Sequence, residues 1–409
     1  MYYNHKSKKK GKYVFSFLKI IQEISMLLYN FLVESAYKYP DANALIYNGN
    51  KYTYQDLNQY TCNVYNSLRE IISDTNKRVA CLMYNSLELI VSIFALSKGK
   101  NITLLLNPDF ESVDIFEKLQ SAKIEVVIID KEVYTKLKHY NNDLINKYIF
   151  IFSSDQIFNF NHICNNLSYE LFNNNISMSD KVLIQTSSGT TNISKMAYRT
   201  NENIYEDSNN IIETFQYEHS DSIYLSVPIY HGYGLTMGLI SPIRQGMTIV
   251  FDKLFMPNRF LRQYITLEKM IFVGVPDIFN LLSNCIGEEQ INITNAKWFF
   301  CSSSALNYKI GENFNKKTNI WLNQVYGMME ASTIAANLSP NKNNFISVGN
   351  VVSNVELVID KNIYIKSKAI SNDYIVNGEE KEIQKNNYWF NTGDEGIIKD
   401  SDLYLLERK

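Results

Sequence analysis

Cysteine is scarce in this chain, and its spacing carries no pairing signal. Cys62, Cys81, Cys164, Cys285 and Cys301 make an odd set with no Cys-x-x-Cys pair. That fits a reducing cytosol, the expected compartment, better than a disulfide framework. The five histidines are scattered without metal-ligand spacing, which argues against a zinc site. No apolar run is long enough to span a bilayer. Neither sign of charge dominates. Lys and Arg number 40 against 42 Asp and Glu, a net charge of −2, so no global field invites nucleic acid. A Walker G-x-x-x-x-G-K-[ST] loop is missing, and no repeat recurs at solenoid period.

What remains is an ordinary globular composition, 45% apolar and 20% charged, over 409 residues. That length calls for two or three subdomains rather than one core. The N-terminus is distinct. Lys6, Lys8, Lys9, Lys10 and Lys12 precede "YVFSFLKIIQEISMLLYNFL". Val14, Phe15, Phe17, Leu18, Ile21, Ile24, Leu28, Phe31 and Leu32 recur at roughly helical period. Lys19, Gln22 and Glu23 interrupt the apolar part and no A-x-A site follows, unlike a signal peptide. Residues 1–21 are therefore expected to be a basic, amphipathic extension docked on the domain. Contact with a membrane surface is the alternative.

From there the chain alternates short β-like runs with helical ones. "RVACLM" (78–83) reads as a strand, "SLELIVSIFALSKG" as a helix stopped at Gly99, and "NITLLL" as the next strand. Such βαβ units build parallel sheets. The pattern continues through "IEVVIID", "YIFIF", "KVLIQ", "SIYLSV", "GMTIVF", "KMIFVGV", "KWFFC" and "IWLNQV". That is more strands than one compact sheet holds, so two related sheets are expected. Beyond about residue 340 the strands are short, divided by turn residues and free of helical period, as in a small antiparallel module. The expected fold is α/β: two related, mostly parallel sheets with flanking helices over 22–340, plus a small β subdomain over 341–409.

Ligands of open α/β sheets bind beyond the C-terminal strand ends, and four polar loops follow strands there. "TSSGTTNISK" follows "KVLIQ", "PIYHGYG" follows "SIYLSV", "SSSAL" follows "KWFFC", and "YGMMEAS" follows "IWLNQV". In the first, Gly189 lets backbone amides turn toward an anion, hydroxyls add donors, and Lys195 supplies a countercharge. An ordinary polar turn has the same composition. Asp394, in "FNTGDEG", can accept ribose hydroxyls or simply close a hairpin. Glu330 can hold Mg²⁺ against phosphate or start a helix. Tyr326 can stack on a base or pack in a core. His231 can border an acyl pocket or sit half-buried and satisfied.

Taken in order, these stretches resemble the adenylate-forming superfamily of acyl- and aryl-CoA synthetases, nonribosomal-peptide adenylation domains and luciferases. "TSSGTTNISK" is similar to that family's "T-S-G-T-T-G-x-P-K", "VPIYHGYGL" to "P-x-F-H-x-x-G", and "VYGMMEAS" to "Y-G-x-T-E". "WFNTGDEG" is similar to "W-x-x-T-G-D-x-G", and "YLLERK" to the closing "G/D-R-K". The resemblance runs from about residue 22 to the end. It implies that Ser187, Ser188, Gly189, Thr190, Thr191 and Lys195 embrace ATP phosphates, with Thr190, Lys195 and Glu330 catalytic. It implies Ser303, Ser304 and Tyr326 along the adenine, Glu330 on Mg²⁺, and Asp394 and Arg408 on the ribose. His231 and Gly327 would border the substrate carboxylate. The implied reaction converts a small carboxylic acid and ATP into an acyl-adenylate, then passes the acyl group to the thiol of CoA or a carrier protein's phosphopantetheine.

The departures are specific. Asn192, Ser194 and Met196 stand where glycine, proline and often glycine are usual, and "CSSSAL" lacks the usual glycine pair. Met329 replaces a hydroxyl residue and cannot donate a hydrogen bond. The loss of such a donor is worth about 2–4 kcal/mol in a transition state. The family's small mobile second domain would follow Lys409, so it is expected to act in trans. Two readings result: a carboxylate-activating ligase, or a catalytically impaired nucleotide-binding partner protein. "YHGYGL" resembles acyl and aryl ligases more than amino-acid activators.

Overall fold

The computed structural model describes residues 27–158, 177–186, 195–265, 267–288, 290–291 and 293–406. In chain order the first strands are β1 (Asn43–Tyr47), β2 (Asn50–Thr53), β3 (Arg78–Leu82), β4 (Ile102–Leu105), β5 (Val126–Ile129), β6 (Ile149–Phe152), β7 (Lys181–Thr186) and β8 (Lys195–Thr200). Next come β9 (Ser222–Leu225), β10 (Thr248–Phe251), β11 (Met270–Gly274), β12 (Ala296–Cys301), β13 (Asn323–Met328), β14 (Ser332–Ala336) and β15 (Asn350–Val351). The last are β16 (Glu356–Asp360), β17 (Asn362–Lys366), β18 (Asp373–Val376), β19 (Glu379–Glu382), β20 (Phe390–Lys399) and β21 (Asp402–Leu405).

They form three sheets, as expected: two large, mostly parallel ones and a small antiparallel one. The eight-stranded sheet runs β19-β18-β8-β7-β4-β3-β5-β6, and the nine-stranded sheet runs β15-β14-β13-β12-β11-β9-β10-β1-β2. The third runs β16-β17-β20-β21, antiparallel throughout. Strand alternation divides the apolar residues into layers. Val79 and Cys81 of β3 join Ile271 and Val273 of β11 in one core between the large sheets. Ala80 and Leu82 face a second core under helices Ser112–Ser121 and Lys131–Tyr140. Met270 and Phe272 face a third, under Pro276–Ile286 and Tyr308–Thr318. Helix Leu87–Lys98 is buried on every side, which its all-round apolar sequence requires. Ser86 caps it by accepting from the Leu89 amide.

Two features differ from the sequence expectation. The hairpin β18–β19 lies within 341–409, yet it extends the eight-stranded sheet, β18 pairing antiparallel with β8. The region 341–409 thus contributes to all three sheets. The run "IWLNQV" is also displaced: the strand starts at Asn323 and continues through Met328. Tyr326 and Gly327 therefore lie on a strand paired with β14, not in a loop.

Leu28, Phe31 and Leu32 sit buried in helix Leu28–Lys38, whereas residues 1–26 lie outside the described residues. Among the described residues no helix is long and apolar enough to cross a membrane. Cys62, Cys81, Cys285 and Cys301 are free thiols.

Candidate active site

β7 and β8 are antiparallel neighbours, and the Ser/Thr stretch connects them. Ser187, Ser188, Gly189, Thr190 and Thr191 lie outside the described residues, as does Arg408. Lys195 opens β8 and is exposed. Alternation along β8 sends Met196 and Tyr198 into the helix-covered core. Lys195, Ala197 and Arg199 share the other face.

Glu330 occupies the turn between β13 and β14, half-buried, with no helix start there. Its carboxylate accepts a hydrogen bond from the Tyr374 hydroxyl at 2.6 Å, and its backbone carbonyl accepts from the Ser371 amide at 2.7 Å. Burial, and then the neighbouring Glu330 charge, push the Tyr374 phenol well above its ordinary pKa, so it remains a donor. The Lys195 ammonium lies 5.7 Å from the centre of the same ring. Lys195 and Glu330, from different sheets, therefore meet on one side chain.

The sequence reading missed Tyr374, and it missed the charge pair beneath it. Arg199 and Asp207 are both fully buried, with their charged atoms 3.8 Å apart. The guanidinium donates to Gln185 Oε1 at 3.3 Å, to the Ala369 carbonyl at 3.1 Å, to the Asn203 carbonyl at 3.4 Å, and to the Ser332 hydroxyl. Asp207 accepts from the Thr333 amide at 3.4 Å. Desolvation pulls the Arg199 pKa down, opposed by the Asp207 charge; it pushes Asp207 up, opposed by Arg199. The signal available in sequence was an arginine inside the apolar strand "KMAYRT". The pair straps the Glu330 turn from below, because Ser332 and Thr333 follow directly.

Asp394 is likewise not in a hairpin turn. It lies inside β20, buried, and accepts from the Tyr326 hydroxyl at 2.6 Å. Its own amide donates to Thr392 Oγ1 at 3.1 Å. Gly327 stands where β13 and β14 approach too closely for a side chain: a Cβ would lie 2.3 Å from the Ser332 carbonyl oxygen. Ser303 and Ser304 are exposed just past β12, Ser303 with φ +73°. The neighbouring Ser302 hydroxyl donates to the Val325 carbonyl at 2.7 Å, which ties this turn to Tyr326. His231 precedes the short helix Gly232–Leu235, half-buried, and burial lowers its pKa, which favours the neutral ring. A Cβ on Gly232 would lie 3.1 Å from the Gln185 amide nitrogen, so this segment touches the Arg199 network.

Among the described residues no cluster of three His, Cys, Asp or Glu side chains is arranged to hold a metal. Mg²⁺ rarely needs one: it takes one or two carboxylates and completes its shell with phosphate oxygens and water. One half-buried carboxylate beside an exposed lysine suits a cation carried in by a nucleotide.

The family model for AMP-binding enzymes matches residues 32–364. The chain is 24% identical to 4-coumarate--CoA ligase 1 of Arabidopsis thaliana, over 88% of this chain and 70% of that protein. It is 23% identical to a long-chain-fatty-acid--CoA ligase of Bacillus subtilis (strain 168), over 93% of this chain and 76% of that protein. The N-terminal domain of FACL13 from Mycobacterium tuberculosis superposes with a TM-score of 0.82 at 20% identity, covering 93% of this chain and 99% of that one. This last likeness bears on the fold alone.

Proposed function

The chain belongs to the AMP-binding enzymes, and from that premise we propose that it activates a carboxylic acid with ATP. The acid's carboxylate attacks the α-phosphorus, pyrophosphate leaves, and an acyl-adenylate forms. A thiol, of CoA or of a carrier protein's phosphopantetheine, then takes the acyl group and releases AMP. The observation that carries this reading is the meeting of Lys195 and Glu330 on Tyr374.

Lys195 supplies a countercharge to the phosphates and Glu330 a carboxylate to Mg²⁺. Bound there, Mg²⁺ neutralises phosphate charge and polarises the phosphoryl oxygens. Asp394, held by Tyr326, takes the ribose; Ser303 and Ser304 lie along the adenine; His231 and Gly327 border the acid. The family resemblance adds Ser187, Ser188, Gly189, Thr190, Thr191 and Arg408 to the nucleotide contacts. The protein's share of the chemistry is positioning and charge stabilisation. Thiol transfer would call on a second domain.

The acid is a fatty, aryl or other organic acid without an α-amine, in keeping with "YHGYGL". Acid-dependent exchange of pyrophosphate into ATP tests this with a panel of aryl, fatty and amino acids. Exchange supported by amino acids alone would overturn the substrate class. Asp394→Ala should abolish thermal stabilisation by Mg-ATP. Ligand at about 100 times its Kd otherwise stabilises by roughly 2.7 kcal/mol.

Met329 favours a second reading, a nucleotide-binding protein with impaired catalysis. It lies half-buried in the Glu330 turn, where it offers no donor to an α-phosphate. Mg-ATP binding without exchange for any acid, unrestored by Met329→Thr with a second domain added in trans, would select it.

A further inference from the structure

We propose that Tyr374 is a positioning residue that keeps Lys195 and Glu330 from neutralising each other, and so leaves both charges for a metal–nucleotide complex. The inference rests on the reading above and deepens it. Tyr374 belongs to none of the motifs that carry the family resemblance.

The sheet register puts it there. In the β18–β8 pair Tyr374 faces Ala197 and Val376 faces Lys195. Tyr374 and Lys195 are therefore diagonal neighbours on one face, within reach for an aromatic and a long side chain. Ile375, between them in register, faces Met196 and packs into the opposite core. This alternation locks the Tyr374 side chain toward the site. The Ser371 amide, three residues earlier, anchors the backbone of Glu330 itself. Tyr374 and its segment thus hold Glu330 at two points.

The chemistry of the two contacts is what matters. Opposite charges in a partly buried cleft attract strongly, and a direct ammonium–carboxylate pair would satisfy both. Here the two charges do not pair with each other. The carboxylate takes its hydrogen bond from a neutral phenol, and the ammonium faces the negative surface of the same ring. The Tyr374 hydroxyl engages Oε1 of the carboxylate, and Oε2 is the oxygen left for a metal ion. Groups that orient a metal-binding carboxylate in this way change metal affinity by roughly 10–100-fold when removed.

The test is calorimetric ATP binding to the intact chain, with excess Mg²⁺ and with EDTA. The ratio of the two Kd values isolates the metal's contribution. In the wild type Mg²⁺ should tighten ATP binding. Tyr374→Phe keeps the ring and loses the phenol. It should leave metal-free ATP affinity unchanged and shrink the Mg²⁺ ratio about tenfold. Tyr374→Leu loses both contacts, lets Lys195 swing onto Glu330, and should weaken metal-free ATP binding as well. If one variant does not fold, the other decides. A wild type that binds ATP with the same affinity with and without Mg²⁺ would overturn the inference. So would variants that unfold at lower temperature yet keep the wild-type Mg²⁺ ratio, since that is a structural role only. A wild type that binds no ATP at all would overturn the functional reading together with the inference.

Discussion

Lys195 and Arg199 stand on the same face of β8, four residues apart, and meet opposite surroundings. Lys195 is exposed at the mouth, with its ammonium over the face of an aromatic ring. Arg199, at the root, is sealed from solvent and spread over four acceptors and a carboxylate. Their partners differ in the same way. Glu330 is half-buried with its carboxylate held by one phenol, whereas Asp207 is fully buried on helix Asn201–Phe215. One pair of opposite charges is kept apart; the other is buried and paired, with the Glu330 charge also reaching Arg199. The root serves as frame for the mouth, because Arg199 and Asp207 grip Ser332 and Thr333, just beyond Glu330.

The comparison breaks first at the root. Asp207→Ala leaves a buried guanidinium without its counter-charge, which should destabilise the fold by about 3–5 kcal/mol. Replacing both residues, as Arg199→Met with Asp207→Leu, should recover most of that loss, since the desolvation penalty disappears with the charges. Denaturant unfolding of Arg199→Met, Asp207→Leu and the double gives the coupling. A double variant as unstable as the sum of the singles would mean the pair is not a unit. Nothing comparable is expected at the mouth, where loss of Lys195 should cost ligand affinity and little stability.

The mouth has a buried neighbour that tests where the boundary lies. Tyr326 and Asp394 join β13 to β20 through one short hydrogen bond between buried groups. A hydrogen bond to a charged acceptor is worth about 1.5–3 kcal/mol. Tyr326→Phe should cost that much stability and weaken AMP binding, which thermal unfolding with and without AMP would register together. A loss of AMP binding alone would move Tyr326 to the mouth side of the comparison.

The difference between mouth and root is also a difference in legibility. The strands around both were readable, because "KVLIQ", "KWFFC" and "RVACLM" alternate or run apolar between turn residues. Lys195, Glu330 and Asp394 were readable as candidates because charged residues in glycine- or hydroxyl-rich stretches stand out. Their surroundings were not. Asp394 looked like a hairpin turn because of its flanking glycines, yet the turn-like pattern sits inside a ten-residue strand. Tyr326 and Gly327 looked like a loop, since a glycine with no room for a Cβ reads the same as a glycine in a turn. Arg199, Asp207 and Tyr374 were invisible for one reason: each acquires its role from a pairing distant in sequence. A short strand such as "DYIV" carries no mark of which sheet it will join, so its attachment to β8 could not be read from the β-rich tail.

The smallest effect expected concerns His231, which lies between the two regions: the adjacent Gly232 packs on the Gln185 side chain that accepts from Arg199. Burial lowers its pKa in the folded chain below the ordinary value of about 6.5. The sign follows from proton counting. As pH falls past about 6.5 the unfolded chain binds a proton on this ring before the folded chain does. Stability from the neutral ring is therefore complete above that pH. It is lost as pH falls through the window between the unfolded value and the lower folded one. His231→Gln removes the titration, so its stability should fall less steeply than the wild type's between pH 7 and about 5. Urea midpoints across that range measure the slope. Equal slopes would mean that the ring takes up its proton as readily in the folded chain as in water. His231 would then belong with Lys195, at the wet end of the site, rather than with the sealed network behind it.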